Sequence, residues 1–188
     1  MAASETNILI AGFGGQGVIL AGNVLAYACI DAGKNVCAMA SYGAEVRGGT
    51  AKALISIADH QIDSPIIERP NLAIIMNAPS FIKYIDTLLP GSPVIVNSSM
   101  IDLAKIKKND LDIVGVDATN LAIKMGNIRV ANIIMLGVMI KKTRILEAQS
   151  VLSGMKRAFY KGKKGLYYIN ENAFRMGYDL INLNIFVK

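Results

Sequence analysis

The sequence predicts an α/β fold in three layers, in which helices cover both faces of a largely parallel, possibly mixed, β-sheet. Short apolar runs alternate with longer helical patterns over most of the 188 residues, an alternation typical of parallel sheets. Apolar residues make up 53% of the chain, which is enough to build the core of a domain of this length. We therefore expect a single domain over residues 1–188.

A glycine-rich turn joins the first strand to the first helix. The apolar run 8–11 predicts the strand, and the apolar segment 18–32 predicts a helix that begins near Gly15 and is closed by Gly33. Strands are expected at 35–40 and 50–58 with no helix between them. This part of the sheet is therefore expected to be antiparallel or irregular.

The second half of the chain alternates more regularly. Apolar runs predict strands at 72–76, 94–96 and 112–116, and a helix runs from Ala78 to about residue 89. Pro79 lies in its first turn, where a missing N–H is tolerated. Periodicity predicts further helices at 121–125, 130–141, 146–159 and 170–182. Strands separated by helices indicate parallel pairing here.

The turn after the first strand has the G-x-G-x-x-G spacing at Gly12, Gly14 and Gly17. The first glycine permits a sharp turn, the second a close approach of the backbone to a bound group, and the third close helix–strand packing. A helix that begins at Gly15 would point free N–H groups at an anion, and Gln16 adds a side-chain donor and acceptor. The spacing indicates a Rossmann-like turn, although a purely structural βα turn shows the same pattern.

The sequence argues against the usual NAD site. Such a site places a carboxylate about 20 residues after the glycines, at the end of the second strand, where it binds the ribose hydroxyls. Here the second strand ends in Ala40 and Ser41, and Asp31 precedes it. The required carboxylate is therefore missing.

A second glycine-rich loop, residues 41–49, contains the polar side chains Ser41, Tyr42, Glu45 and Arg47 beside Gly48. The guanidinium of Arg47 suits a carboxylate or a phosphate. Glu45 either orients Arg47 or a ligand group, or forms a local pair that only shapes the loop. If the first two strands run parallel side by side, the two glycine loops border one crevice.

The sequence offers no catalytic constellation and no metal site. His60, the only histidine, lies in a polar turn. Asp117 follows the sixth strand, where it either contacts a ligand at the strand end or, as we expect, caps the next helix. Cys29 and Cys37 cannot form a four-ligand site. We interpret both as reduced thiols of a cytoplasmic protein.

The charge of the chain is compatible with nucleic-acid binding, but its motifs and hydropathy argue against several classes of protein. The net charge is +6, and the run 156–164 is strongly basic. That run is either a solvated helix end or a docking face for an acidic partner or anionic substrate. No nucleic-acid-binding motif, signal peptide or uninterrupted membrane-spanning run is present. We expect no nucleic acid and no membrane span.

The two loops together resemble the gamma subunit of the 2-oxoacid:ferredoxin oxidoreductases. The similarity rests on residues 12–17, 41–49 and 62–65, and residues 126–132 with 135–137 are similar to the 2-oxoglutarate version. It covers nearly the full chain. Many relatives have proline and alanine where this chain has Ala44 and Val46, a difference that affects loop rigidity.

This resemblance implies a heterotetrameric enzyme that oxidatively decarboxylates a 2-oxoacid, most similar to the 2-oxoglutarate enzyme. It joins the acyl group to coenzyme A and passes electrons to ferredoxin or flavodoxin. The alternatives are a pyruvate, branched-chain 2-oxoacid or indolepyruvate enzyme of the same family, or a free-standing nucleotide-binding protein with a Rossmann-like fold. Thiamine diphosphate and iron–sulfur clusters are expected on the alpha, beta and delta chains, and this chain is expected to be inactive alone. Two roles of the glycine loops remain open: contact with coenzyme A, or only the interface with alpha and beta. The isolated chain is a possible homodimer.

Overall fold

The computed structural model describes residues 5–43, 49–159 and 164–181. The first half contains β1 (Thr6–Phe13), α1 (Val18–Asp31), β2 (Asn35–Tyr42), β3 (Thr50–Ala58), β4 (Leu72–Ile75) and α2 (Ala78–Tyr84). The second half contains β5 (Pro93–Asn97), β6 (Asp112–Val116), α3 (Ala118–Lys124), α4 (Ala131–Thr143), α5 (Ala148–Ala158) and α6 (Lys164–Leu180). Short 3-10 turns lie at Ile85–Thr87, Leu103–Lys105 and Ile128–Val130.

The six strands form one mixed sheet in the order β2-β3-β1-β4-β5-β6. The pairs β1–β4, β4–β5 and β5–β6 are parallel, whereas β3 runs antiparallel to both β1 and β2. β2 and β3 form a hairpin because the link between them is too short for the helical crossover that parallel neighbours need. The predicted α/β class and the antiparallel region are confirmed.

Helices cover one face of the sheet more deeply than the other. On one face α1 and α4 pack against the strands, and α5 and α6 pack on these helices in turn. The opposite face is covered by α2 and the following 3-10 turns. Successive side chains of β1 point to opposite faces of the sheet. Ile8 and Ile10 therefore pack in the core under α1 and α4, and Leu9 and Ala11 pack in the core under α2. This arrangement is the expected α/β/α sandwich with an additional helical layer on one face.

Helix α4 is buried on every side. Its ten residues 131–140 are all buried, because the helix lies between the sheet and α6. A Cβ atom added at Gly137 would collide with the Phe174 carbonyl, and one added at Gly177 would collide with the Ile134 carbonyl. The two glycines therefore allow the backbones of α4 and α6 to cross in direct contact.

Two predicted helix starts were wrong. α1 begins at Val18 rather than near Gly15, because Gly15 and Gly17 both adopt positive φ angles, +97° and +71°, which a right-handed helix does not contain. α6 begins at Lys164 rather than at Asn170. The Asn170 amide donates back to the Leu166 carbonyl at 2.7 Å, so an asparagine that we interpreted as a helix start lies inside the helix.

Within the described residues, none of the helices combines the length and the apolar character needed to cross a lipid bilayer.

Candidate functional site

The candidate site lies where the chain changes direction across the sheet. From β1 the chain moves outward through α1 to β2 and β3, and then crosses to the other side of β1 to form β4. The carboxyl ends of the parallel neighbours β1 and β4 therefore open into a crevice, the usual ligand position in open α/β sheets. The glycine turn 12–17 lies directly at this opening.

Close packing requires glycine at the first position of the turn. A Cβ on Gly12 would lie 2.7 Å from Gln16 Oε1 and 2.9 Å from Met76 Cβ, so this glycine lets the end of β1 approach the end of β4. Gly14 and Gly15 instead face open space, with no heavy atom within 4 Å of an added Cβ. The backbone at Gly14 and Gly15 is thus accessible to a ligand.

The backbone N–H groups of the turn divide into two sets. The N–H of Gly14 donates to the Gly49 carbonyl at 3.2 Å, and the N–H of Gln16 donates to the Phe13 carbonyl at 3.1 Å. Among the described residues, the N–H groups of Gly15 and Gly17 have no acceptor. The expected donor set of residues 14–17 is therefore reduced to Gly15, Gly17 and the first turn of α1.

Gln16 holds the turn closed from inside. Its Oε1 accepts from the Phe13 N–H at 2.7 Å and from Asn77 Nδ2 at 2.8 Å. Asn77 also caps α2, since its Oδ1 accepts from the Ser80 N–H at 2.9 Å. One side-chain network therefore joins the ends of β1 and β4 to the start of α2.

The two glycine loops meet, although β1 and β2 are not neighbours. β3 lies between them, and because β3 is antiparallel to both strands, their carboxyl ends lie at the same sheet edge. The hydrogen bond from Gly14 to the Gly49 carbonyl joins the loops directly. Ser41 and Tyr42 end β2 and are exposed. Glu45, Arg47 and Gly48, with Ala44 and Val46, lie outside the described residues.

Polar side chains form a row along the same edge, and sequence reasoning singled out only Asp117 among them. Asn97 Nδ2 donates to the Met76 carbonyl at 3.2 Å and to Thr119 Oγ1 at 2.8 Å. Ser99 Oγ donates to Asp117 Oδ1 at 2.5 Å. The signal was present in the sequence, since Asn77, Asn97 and Asp117 each end or follow an apolar strand.

The expected cap by Asp117 was wrong. Its carboxylate makes no capping bond to α3 and instead accepts from Ser99 and from Asn120 Nδ2. The Thr119 N–H at the helix start donates to Ser99 Oγ at 3.2 Å. Ser99, in the loop after β5, therefore caps α3 in place of Asp117.

Asn132 is a further residue that sequence reasoning did not identify as part of the site. It is fully buried, and its Nδ2 donates to the Gly17 carbonyl at 2.8 Å. Its Oδ1 is buried without a hydrogen-bond partner among the described residues. A Cβ on Gly17 would collide with this amide. The third glycine of the motif therefore makes room for Asn132 of α4.

A cavity of about 190 Å³ opens beside the glycine turn. It is lined by Gly15, Gln16, Met76, Met100, Thr119, Ile128, Arg129 and Ala131. Arg129 is exposed and has no salt bridge among the described residues. The cavity thus combines an apolar wall, one residue with an unpaired N–H group, Gly15, and one cation, a combination suited to an anion with an apolar or aromatic part.

A larger cavity lies elsewhere, beside the edge strand β6. It encloses about 440 Å³ and is lined by Leu103, Ile106, Lys108, Asn109, Leu111, Asp112 and Ile113. Lys108 at this cavity is already paired with Asp86. Asp112 at this cavity is likewise paired with Lys142. Because both charged side chains are already paired, whereas Arg129 has no salt bridge among the described residues, the smaller cavity at the strand ends is the better candidate site.

The remaining candidates from the sequence are a histidine and two cysteines. His60 is exposed in the turn after β3. Cys29 is buried, Cys37 is half-buried, and both are free thiols. No group of three or more potential metal ligands occurs in the described part of the chain.

Residues 7–180 match the family model described as pyruvate ferredoxin/flavodoxin oxidoreductase. The chain belongs to this family. It is 34% identical to the 2-oxoglutarate synthase subunit KorC of Methanothermobacter thermautotrophicus, over 93% of this chain and 94% of that protein. It is also 34% identical to the pyruvate/ketoisovalerate oxidoreductases common subunit gamma of Thermococcus litoralis, over 79% and 83% respectively. The chain is thus a gamma subunit of the 2-oxoacid:ferredoxin oxidoreductases.

Solved structures agree with this assignment. The gamma subunit of a keto/oxoacid ferredoxin oxidoreductase from Geobacter sulfurreducens is 27% identical, with a TM-score of 0.78 over 93% of this chain and 96% of that one. The 2-oxoglutarate:ferredoxin oxidoreductase from Magnetococcus marinus shares the fold at a TM-score of 0.86 and 20% identity. This chain covers only 32% of that longer polypeptide.

Proposed function

We propose that this chain is the gamma subunit of a 2-oxoglutarate:acceptor oxidoreductase. Similarity to KorC over nearly the whole length of both chains supports this substrate. The comparable identity to a pyruvate/ketoisovalerate gamma subunit supports the alternative within the family. The reaction releases carbon dioxide from the 2-oxoacid, joins the acyl group to coenzyme A and passes the electrons to ferredoxin or flavodoxin.

The chain contributes no reacting group in this proposal. Thiamine diphosphate and the iron–sulfur clusters lie on the alpha, beta and delta chains, and this single-domain subunit is inactive without them. Its two free cysteines and single exposed histidine fit that division, because clusters of this kind require sets of cysteine ligands.

Coenzyme A is the ligand that the candidate site fits best. The carrying observation is the pair of N–H groups at Gly15 and Gly17 that have no acceptor among the described residues, beside a cavity with Arg129 at its rim. Backbone N–H groups at a helix N-terminus and a guanidinium both favour phosphate, and the apolar wall accepts the uncharged part of the ligand. Arg47 of the adjoining loop is a further phosphate contact in this proposal.

Kinetics of the assembled complex test the proposal. Arg47→Ala and Arg129→Ala are each expected to raise the KM for coenzyme A by about tenfold, since a charge-assisted hydrogen bond is lost. The KM for the 2-oxoacid stays unchanged. Arg175→Ala is the matched control, because Arg175 is paired with Glu171 on α6 and does not line the cavity. An unchanged KM for coenzyme A in both variants would contradict the role.

The second candidate role is that the loops only bind the partner chains. The exposed positions of Ser41 and Tyr42 favour it. In that case Arg47→Ala would lower recovery of the complex in co-purification and leave the KM for coenzyme A unchanged in the complex that remains. The two roles therefore give opposite results for the same variant.

A further inference from the structure

Among the described elements, no strand pairs with the outer edge of β2. The strand contains eight residues with no charged side chain, proline or glycine. Most of it is exposed, including Met39 at 49% and Tyr42 at 68%. A long, uncharged, exposed edge strand presents unpaired backbone groups to any chain that can add to it.

The opposite edge of the sheet is protected. β6 has five residues and begins with Asp112, which forms a salt bridge with Lys142 at 2.8 Å. Leu103 packs on its Gly115. Short length and charge are the usual protections of edge strands, and β2 has neither.

The hydrogen-bonding phase of β2 identifies the unpaired groups. The Gly43 N–H donates to the Thr50 carbonyl at 2.8 Å, and the register pairs Ser41 with Lys52 and Met39 with Leu54. Because hydrogen-bonded pairs alternate in an antiparallel ladder, the odd-numbered residues of β2 bond to β3. The N–H and C=O groups of Val36, Ala38, Ala40 and Tyr42 therefore point outward.

We propose that two copies of this chain pair through β2 in antiparallel orientation, joining their sheets across a two-fold axis. The register that uses all four outward-pointing residues places Val36 opposite Tyr42, Ala38 opposite Ala40 and Met39 opposite its own copy. The ladder then contains about eight hydrogen bonds. Both exposed large side chains, Met39 and Tyr42, become covered by the partner copy.

A second copy fits this edge better than a chain of different chemistry. A two-fold interface needs a self-complementary surface, and the uncharged edge opposes no like charges when it meets itself. The register also keeps each residue on its own face of the joined sheet, because even-numbered residues meet even-numbered ones and odd-numbered residues meet odd-numbered ones. Because β2 has no charged side chain, it cannot form the ion pairs that would favour an acidic or a basic partner.

Disulfide trapping tests the register. Met39→Cys in a Cys37→Ser background should form a covalent dimer on oxidation of the full chain, because the paired Cα atoms lie about 4.5 Å apart in a non-hydrogen-bonded pair. Ile82→Cys in the same background is the control, since Ile82 is 75% exposed on α2, away from β2. Absence of a Met39→Cys dimer, or equal yields from both variants, would overturn the proposal.

A proline substitution tests the pairing itself. Ala38→Pro removes an N–H that points outward, so it spares the β2–β3 ladder, whereas Ala38→Val keeps the N–H. Light scattering should show a dimer for the wild-type chain and Ala38→Val and a monomer for Ala38→Pro, with unchanged circular dichroism. A monomeric wild-type chain, or a crosslink from Met39→Cys to another polypeptide in the assembled complex, would contradict pairing between copies.

Discussion

Gly17 shows how one residue serves both the fold and the candidate site. Its positive φ of +71° ends the turn, its carbonyl accepts from Asn132, and its N–H has no acceptor among the described residues. The G-x-G-x-x-G spacing indicates that the glycine at position 17 has a structural role. Its buried partner lies 115 residues away in the sequence, and no local pattern connects the two.

Gly17→Ala should lower the free energy of unfolding by about 2–4 kcal/mol, because it adds left-handed strain and a collision with Asn132. Gly14→Ala is the matched control, since an added Cβ there meets nothing within 4 Å. Urea denaturation measures both variants. Equal stabilities would show that Asn132 does not constrain the turn.

Gly14→Ala should instead raise the KM for coenzyme A in the assembled complex.

The two thiols should differ in reactivity. Burial raises the pKa of Cys29 to about 12, so almost no thiolate forms at neutral pH, whereas Cys37 is half-buried on β2. A thiol reagent should modify one cysteine in the native chain and two in denaturant, with the native modification at Cys37 by peptide mapping. Rapid native modification of Cys29 would contradict its burial.

The pattern of apolar residues predicts most elements, but it misses how the elements contact one another. Strands 50–58 and 112–116 have the predicted bounds, because both are apolar runs between turn residues. The absence of a helical pattern between β2 and β3 indicated that this region is antiparallel or irregular. No sequence pattern indicated the crossing of α4 and α6, because Gly137 and Gly177 resemble ordinary helix-weakening glycines until the two helices are seen in contact.

Gly177→Ala should lower the free energy of unfolding by about 1–3 kcal/mol, since the Ile134 carbonyl is backbone and cannot move aside easily. Gly165→Ala in the same helix has open space at the new Cβ and should be neutral or slightly stabilising. Thermal and urea denaturation compare them. A stable Gly177→Ala variant would show that the two helices do not cross this closely.

The contact between α1 and α5 predicts a response to acid. Hydrogen bonds from Ser153 and from Arg157 lower the pKa of Asp31. A lowered pKa means that Asp31 stabilises the fold above its ordinary pKa of about 4, and that this contribution is lost as the pH falls further.

Asp31→Asn should therefore be less stable than the wild type at neutral pH, and the difference should shrink below about pH 4. Asp63→Asn is the control, because Asp63 has no salt bridge among the described residues. Denaturation midpoints across pH 2–7 measure the effect. A constant difference over that range would argue against an ionised Asp31 as its cause.

The sheet order of the whole molecule explains why the site forms where it does. β2 and β3 lie on one side of β1, whereas β4, β5 and β6 lie on the other side. The polar residues that follow the parallel strands therefore lie close together at one edge of the sheet. The sequence predicted the two glycine loops, and it placed them at one crevice only on the condition that β1 and β2 lie side by side, which they do not. It could not predict that β3 would lie between their strands, because strand order depends on contacts between distant residues.

The central claim is that this chain completes a larger oxidoreductase and has no reacting group of its own. The most direct test compares 2-oxoglutarate- and coenzyme A-dependent reduction of an electron-accepting dye by the purified chain, by the partner chains, and by the two combined. We expect turnover only in the combined preparation. Turnover of a 2-oxoacid by the chain alone would contradict the claim.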